Sequence, residues 1–252
     1  MSRTLAAALL VFSAIAAHAQ DARQIVEQAQ NRANAKSERY EGTLRVEDAK
    51  RRISEKRWVY ERIGSFGKSK SLLRFTAPPE VKGVALLIVN HPDRASDQWM
   101  WTPAIERERR IALQDRSTRF FGTDFSFEDL EERDLDQFDY KLLGSETMDA
   151  VDCWKIDSTP KKAKSSQYTH SVLWIRKSNY VAARIEGYAK DKLVRRIDYI
   201  DVQQVDGIWT ARKVEVYDAG RKSRTIMQLE KLEYNAPMRD SDFTLEALRR
   251  LG

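Results

Sequence analysis

Between residues 42 and 234 the dominant period of the apolar side chains is two, in stretches often near ten residues long where a strand usually has about five or six. In DKLVRRIDYIDV, Leu193, Ile197 and Tyr199 share one face with Arg195, and the opposite face carries Val194, Ile200 and Val202 beside Arg196 and Asp198. Asp206-Gly207 supplies a hairpin turn into IWTARKVEVY, where Ile208, Val214 and Val216 alternate with Trp209, Ala211 and Tyr217. Asp218-Ala219-Gly220 turns the chain again into TIMQLEKLEY. GTLRVED, RISEKRWVYERI, KSLLRFT, DQWMW, DYKLLGSE, VDCWKI, SVLWIR and YVAARIEGY repeat the pattern upstream. No strand–helix alternation, repeat or low-complexity linker interrupts them. Long antiparallel strands in succession twist and curl, so the expectation is a mainly β chain with one strongly curved antiparallel sheet. Helix signals are confined to the ends, over about residues 21–36 with Asp21 as N-cap, and over 242–248. A curved sheet with a helix over its open side encloses a concave space, where ligands sit.

The first residues, MSRTLAAALLVFSAIAAHAQ, place Arg3 before an apolar run and end in Ala17-His18-Ala19. This is the pattern of a signal peptide over residues 1–19, leaving residues 20–252 as a single β domain. The expectation is a protein soluble outside the cytoplasm and without a lipid anchor, since no Cys lies near the cleavage point. Cys153 cannot form an internal bridge, and its neighbours Val151 and Trp154 favour its burial. A formal charge of +6 spread among acids, in an exported chain, argues against a nucleic-acid partner.

Neither His91 nor His170 has a metal-ligand partner at the usual spacing, and the chain carries no G-x-S-x-G, phosphate-cradling loop or dinucleotide fingerprint. The expectation is therefore no enzyme, catalytic residue, metal or cofactor. Two patterns suggest binding. Arg107 and Arg109 alternate in phase with Ile105, Ile111 and Leu113, either as an edge strand snorkelling to water or as an anion-holding cavity mouth. Trp99 and Trp101 share a strand face and can serve as core or as ligand platform.

The densest aromatic cluster is FFGTDFSFEDLEE, with Phe120, Phe121, Phe125 and Phe127 followed at once by acids. Gly122 allows a tight turn, Asp124 can cap the segment that follows, and Ser126 with Asp129 has the spacing of a capping box. Such a loop would insert its Phe side chains into the concave sheet as a lid or structural plug.

This stretch resembles the F-x-G-S/T-D-F-S/T-Y/F-E-D-L signature of the outer-membrane lipoprotein-sorting proteins, which are similar in fold to LolA and LolB. WMWTPAIERERRI upstream, and VDCWKIDSTPKK, SVLWIRKSNYVAARIEGY and DFTLEAL downstream, extend the resemblance from about residue 40 to the end. It implies an incomplete LolA-like barrel closed by helices over a hydrophobic cavity, in the periplasm. The implied function is binding of lipid or lipoprotein acyl chains and their transfer toward the outer membrane, with an RND/MMPL-type inner-membrane transporter as partner. The alternative is an adaptor or sensor that docks on an envelope complex through residues 120–139 and carries nothing. Trp99, Trp101, Phe120, Phe121, Phe125, Phe127, Arg107 and Arg109 are the candidate ligand-binding residues.

Overall fold

A computed structural model describes residues 21–33, 35–162 and 166–250; the expected signal peptide lies outside the described residues. The chain opens with α1 (Ala22–Asn31) and then runs through β1 (Ser37–Glu47), β2 (Ile53–Ile63), β3 (Lys70–Ala77), β4 (Ala85–Val89), β5 (Asp97–Thr102) and β6 (Arg107–Arg110). After a long connection follow β7 (Phe138–Met148), β8 (Val151–Pro160), β9 (His170–Arg176), β10 (Ala182–Ala189), β11 (Lys192–Val205), β12 (Ile208–Asp218) and β13 (Ser223–Tyr234), and the described chain ends near α2 (Leu245–Arg249).

All thirteen strands form one antiparallel sheet in the order β6-β5-β4-β3-β2-β1-β13-β12-β11-β10-β9-β8-β7. Each strand pairs with its sequence neighbours except at two places. β1 pairs with β13, which joins the two meanders, while β6 and β7 remain as the two edges. The sheet is therefore an incomplete barrel, and residues 111–137 run from one open edge to the other. The curved, mainly β fold expected from the alternation is the fold observed.

The pleat separates two sets of side chains. On the concave face Leu44, Met227, Val214 and Tyr199 lie opposite one another in a row across β1, β13, β12 and β11. Trp58, Leu73, Phe75, Leu86 and Ile88 continue the same core. On the convex face Leu72, Leu87 and Trp99 pair across β3, β4 and β5, and α2 covers them with Leu248 next to Phe243. β4, read as ALLIV, is buried on both faces. That is why it shows a continuous apolar run and no alternation, and why the periodicity passed over it.

α1 buries Ala22, Ile25 and Val26 against Ile156 and Ile175 of β8 and β9, which anchors it over the half of the sheet near β7. It ends at Asn31, short of the expected residue 36, and Asp21 caps it through its backbone carbonyl, 3.1 Å from the Ile25 N–H, with no side-chain bond. Thr244 does cap α2, accepting from the Ala247 N–H at 3.1 Å. Cys153 is buried and unpaired, and burial pushes its thiol pKa up.

Candidate functional site

The connection between the two sheet edges folds into the concave space. Phe121 at φ 44° and Gly122 at φ 74° form the two central positions of a type I′ turn closed by the Thr123 N–H on the Phe120 carbonyl at 3.0 Å. The turn lets Phe120, Phe125 and Phe127 enter the core, with Phe120 stacked on Phe75 at 5.3 Å between ring centroids and edge-on to Phe127 at 5.8 Å. Phe121 is half-buried, edge-on to Phe75 and Phe120. All four rings turn inward.

Asp124 departs from the expected cap. It is fully buried and accepts from Ser223 Oγ at 2.5 Å, Thr225 Oγ1 at 2.8 Å and Arg119 at 2.9 Å, bolting the turn to β13. Capping falls instead to the other pair. Ser126 Oγ donates to Asp129 at 2.6 Å, the Asp129 carboxylate also receives the Ser126 N–H at 2.7 Å, and the Asp129 N–H returns to Ser126 Oγ at 3.2 Å.

The acids that follow each reach a different wall. Glu128 accepts from Ser166 Oγ and from the Gln167 N–H at 2.9 Å, in the β8–β9 connection. Asp129 pairs with Arg195 of β11 and accepts from Tyr168 Oη at 2.7 Å. Glu131 pairs with Arg116 and accepts from Gln98 of β5 at 2.9 Å, and Glu132 accepts the Gly67 N–H at 2.7 Å with Arg62 of β2 at 3.7 Å. Burial pushes the Glu131 and Glu132 carboxyls up, against the lowering pull of Arg116 and Arg62 respectively. Buried Arg195 is shared with Asp218 at 3.2 Å. Four phenylalanines followed by acids thus make a cross-brace. The rings fill the middle of the open barrel and the carboxylates tie the next turn to both halves of the sheet.

Two abutting cavities remain beside the brace. The first, about 330 Å³, is walled by Trp58, Leu73, Leu86, Val214, Met227 and Leu229, and Phe125 forms part of its lining. Its polar side carries Glu38, Arg62 and Glu132, with Arg62 Nη2 donating to Glu38 at 2.6 Å. The second, about 340 Å³, lies under α1 between Val26 and Ala29 on one side and Leu173, Ile175, Ile185 and Ile197 on the other. Leu130, Tyr199, Phe66, Gln30 and Arg32 border both. Burial pushes the Tyr199 phenol pKa up, and that of Tyr140 at the second cavity up to about 12, so both rings stay neutral. The indole N–H of Trp58 meets no acceptor among the described residues.

The other sequence-predicted residues lie elsewhere. Trp99 and Trp101 are on the convex face with α2, and Arg110 stands over the Trp99 ring at 5.9 Å. Arg107 and Arg109 are exposed on edge strand β6, where Arg109 lies 3.7 Å from Asp115. β6 spans only Arg107–Arg110, so Ile105 and Leu113 fall outside it and are exposed, while Ile111 is buried in the concave core. His91 meets Asp97 at 3.0 Å and His170 meets Asp157 at 2.7 Å. Among the described residues no group of three His, Cys, Asp or Glu side chains could hold a metal. No described helix is long and apolar enough to cross a membrane.

Sequence reading missed the charged side of the first cavity, Glu38 and Arg62, and Arg195, the partner of cavity-lining Asp129. One signal existed: Arg195 alternates in phase with Ile197 and Tyr199, and a cation in the apolar phase of a long strand needs a buried acid opposite it.

A family model described as an uncharacterized protein matches residues 67–250. A domain of an outer membrane lipoprotein-sorting protein from Vibrio parahaemolyticus is 23% identical over 91% of this chain and 98% of its own, with a TM-score of 0.86. A DUF1329 family protein from Desulfovibrio piger is 27% identical over 90% of this chain and 97% of its own, also at 0.86. A LolA superfamily protein from Nitrosomonas europaea is 19% identical over 91% of this chain and all of its own, at 0.73. Comparison with curated proteins finds no match.

Proposed function

The chain belongs to the uncharacterized-protein family whose model spans residues 67–250, with the fold of the lipoprotein-sorting and LolA superfamily proteins, and on this footing we propose that it is a periplasmic carrier of lipid or lipoprotein acyl chains. The observation that carries the reading is the pair of abutting cavities, aliphatic along their walls and charged along one side. That arrangement suits an amphiphile. Each buried methylene contributes about 0.8 kcal/mol, so a chain of ordinary length can be held without covalent chemistry or a cofactor. Glu38, Arg62 and the free Trp58 N–H would meet the polar end. Export by the signal peptide over residues 1–19, and handover from an RND/MMPL-type transporter toward the outer membrane, complete the proposal and rest on the sequence pattern and the family resemblance.

An adaptor docking through exposed phenylalanines finds no support in the placement of Phe120, Phe125 and Phe127, which are buried.

The test is mass spectrometry of organic extracts from the mature protein purified natively from its own periplasm, beside Ala211→Phe. Ala211 lines the first cavity, so the larger ring fills it without adding charge. Stoichiometric lipid or acylated peptide on the wild type, lost from an equally stable variant, is the expected result. An empty wild type, or full loading of the filled variant, overturns the carrier.

A further inference from the structure

A second concavity lies on the far side of the phenylalanine brace from the cavities. The β1–β2 turn, the Phe121-Gly122 turn and the β12–β13 turn meet there around a cleft of about 630 Å³. Its lining holds the cations Lys50, Arg52, Arg119 and Arg221 and a single carboxylate, Asp48. That carboxylate is already committed: it accepts the amides of Lys50 and Arg52 at 2.8 and 2.9 Å and the Arg52 guanidinium at 2.7 Å. The side chains of Lys50 and Arg221 make no ion pair among the described residues.

Lys56 adds to the imbalance. It sits on β2 in phase with Ser54, which lines the cleft, and with Trp58 of the concave core. It is half-buried without an ion-pair partner among the described residues, and burial first, then the nearby Arg119, pushes its pKa down. Arg119 is fixed in place, donating to the Thr123 carbonyl at 2.6 Å, the Gly122 carbonyl at 2.7 Å and Asp124 at 2.9 Å. With Arg119 held by Asp124, the cations left without a carboxylate among the described residues are Lys50, Lys56 and Arg221, and these favour an anion in the cleft. Ser54 brings a hydroxyl donor to the same cleft, while the Ser223 hydroxyl is taken by Asp124.

We propose that this cleft binds a phosphate group, with Lys50, Arg119 and Arg221 of its lining as cationic contacts and Lys56, beside the lining on β2, as a fourth. The site is independent of the acyl cavities and separated from them by the Phe120 core, so it can stand if the carrier reading fails. A phosphate on a soluble molecule and the phosphate of an anionic lipid head group present the same chemistry, and the experiment distinguishes them.

Wild type and the double variant Lys56→Gln/Arg221→Gln are titrated with inorganic phosphate at constant ionic strength, following backbone amide shifts by NMR. Both proteins are also sedimented with phosphatidylglycerol vesicles and with phosphatidylcholine vesicles. Saturable shifts around Lys50, Gly122 and Arg221, weakened at least about tenfold in the variant, support the site. If sedimentation with phosphatidylglycerol also exceeds that with phosphatidylcholine and falls in the variant, the source is a lipid surface; equal sedimentation with both assigns a soluble phosphate. Lys50→Gln, wholly on an exposed turn, repeats the measurement should the double variant fold poorly. Phosphate shifts absent from the cleft, or affinity in the variants within twofold of wild type, overturn the proposal.

Discussion

Asp129 and Arg195 have side chains only 1% and 4% exposed, so each depends on the other for compensation. Asp129→Asn should cost about 3–5 kcal/mol in chemical denaturation, because it leaves the guanidinium with Asp218 alone. A loss below 1 kcal/mol would mean that Asp218 suffices. Asp97 is a different case. The hydrogen bond from Arg94 above all, with those from Arg110 and His91, holds its carboxyl well below the usual range despite the opposing effect of burial. A depressed folded pKa gives stability that is present above the unfolded value of about 3.9 and is lost as pH falls through the folded value. The stability gap between wild type and Asp97→Asn should therefore be full above about pH 5, on the order of 1–3 kcal/mol, and shrink below about pH 4. A gap independent of pH between 7 and 3 would rule out this account.

At the scale of elements, two glycines allow close approach, Gly42 between strands β1 and β13 and Gly187 between β10 and the β8–β9 connection. A Cβ on Gly42 would lie 2.0 Å from the Gln228 carbonyl oxygen, beside the bulge where β1 shifts register against β13. A Cβ on Gly187 would meet the Tyr168 ring at 2.4 Å, displacing the phenol that donates to Asp129. Backbone yields less readily than a side chain. Gly42→Ala should therefore destabilise more than Gly187→Ala, and hydrogen exchange should show the first loosening the β1–β13 ladder and the second the 126–132 turn. Equal effects confined to one region would refute the assignment. Strand positions, hairpin turns and the Ser126–Asp129 cap were legible because they follow from local alternation and turn chemistry. The partner of Asp124 was not, since β13 lies a hundred residues downstream and nothing local marks Thr225 as its donor.

Over the whole molecule, the brace turns an open sheet into a closed fold. The amides of Phe120, Thr123, Phe127 and Glu128 are bonded within residues 116–128 themselves, yet the side chains of Phe120, Phe127 and Glu128 are tied to both meanders. Their exchange protection should consequently approach that of the central β1–β13 ladder, as parts of one cooperative unit. Protection near zero in 119–128 beside a protected sheet would show a detachable lid. The mainly β class, the curved succession of long strands, the helices at the ends and the aromatic density at 120–127 are written in the sequence, because alternation and turn propensity are local. That Trp99 and Trp101 lie under α2 on the convex face, and that the phenylalanines fill the concave one, emerges from the packed fold alone. Period two separates the faces of a strand without saying which becomes the inside. That choice is made by how the sheet curls, and by the pairing of β1 with β13 that leaves β6 and β7 apart for residues 111–137 to bridge.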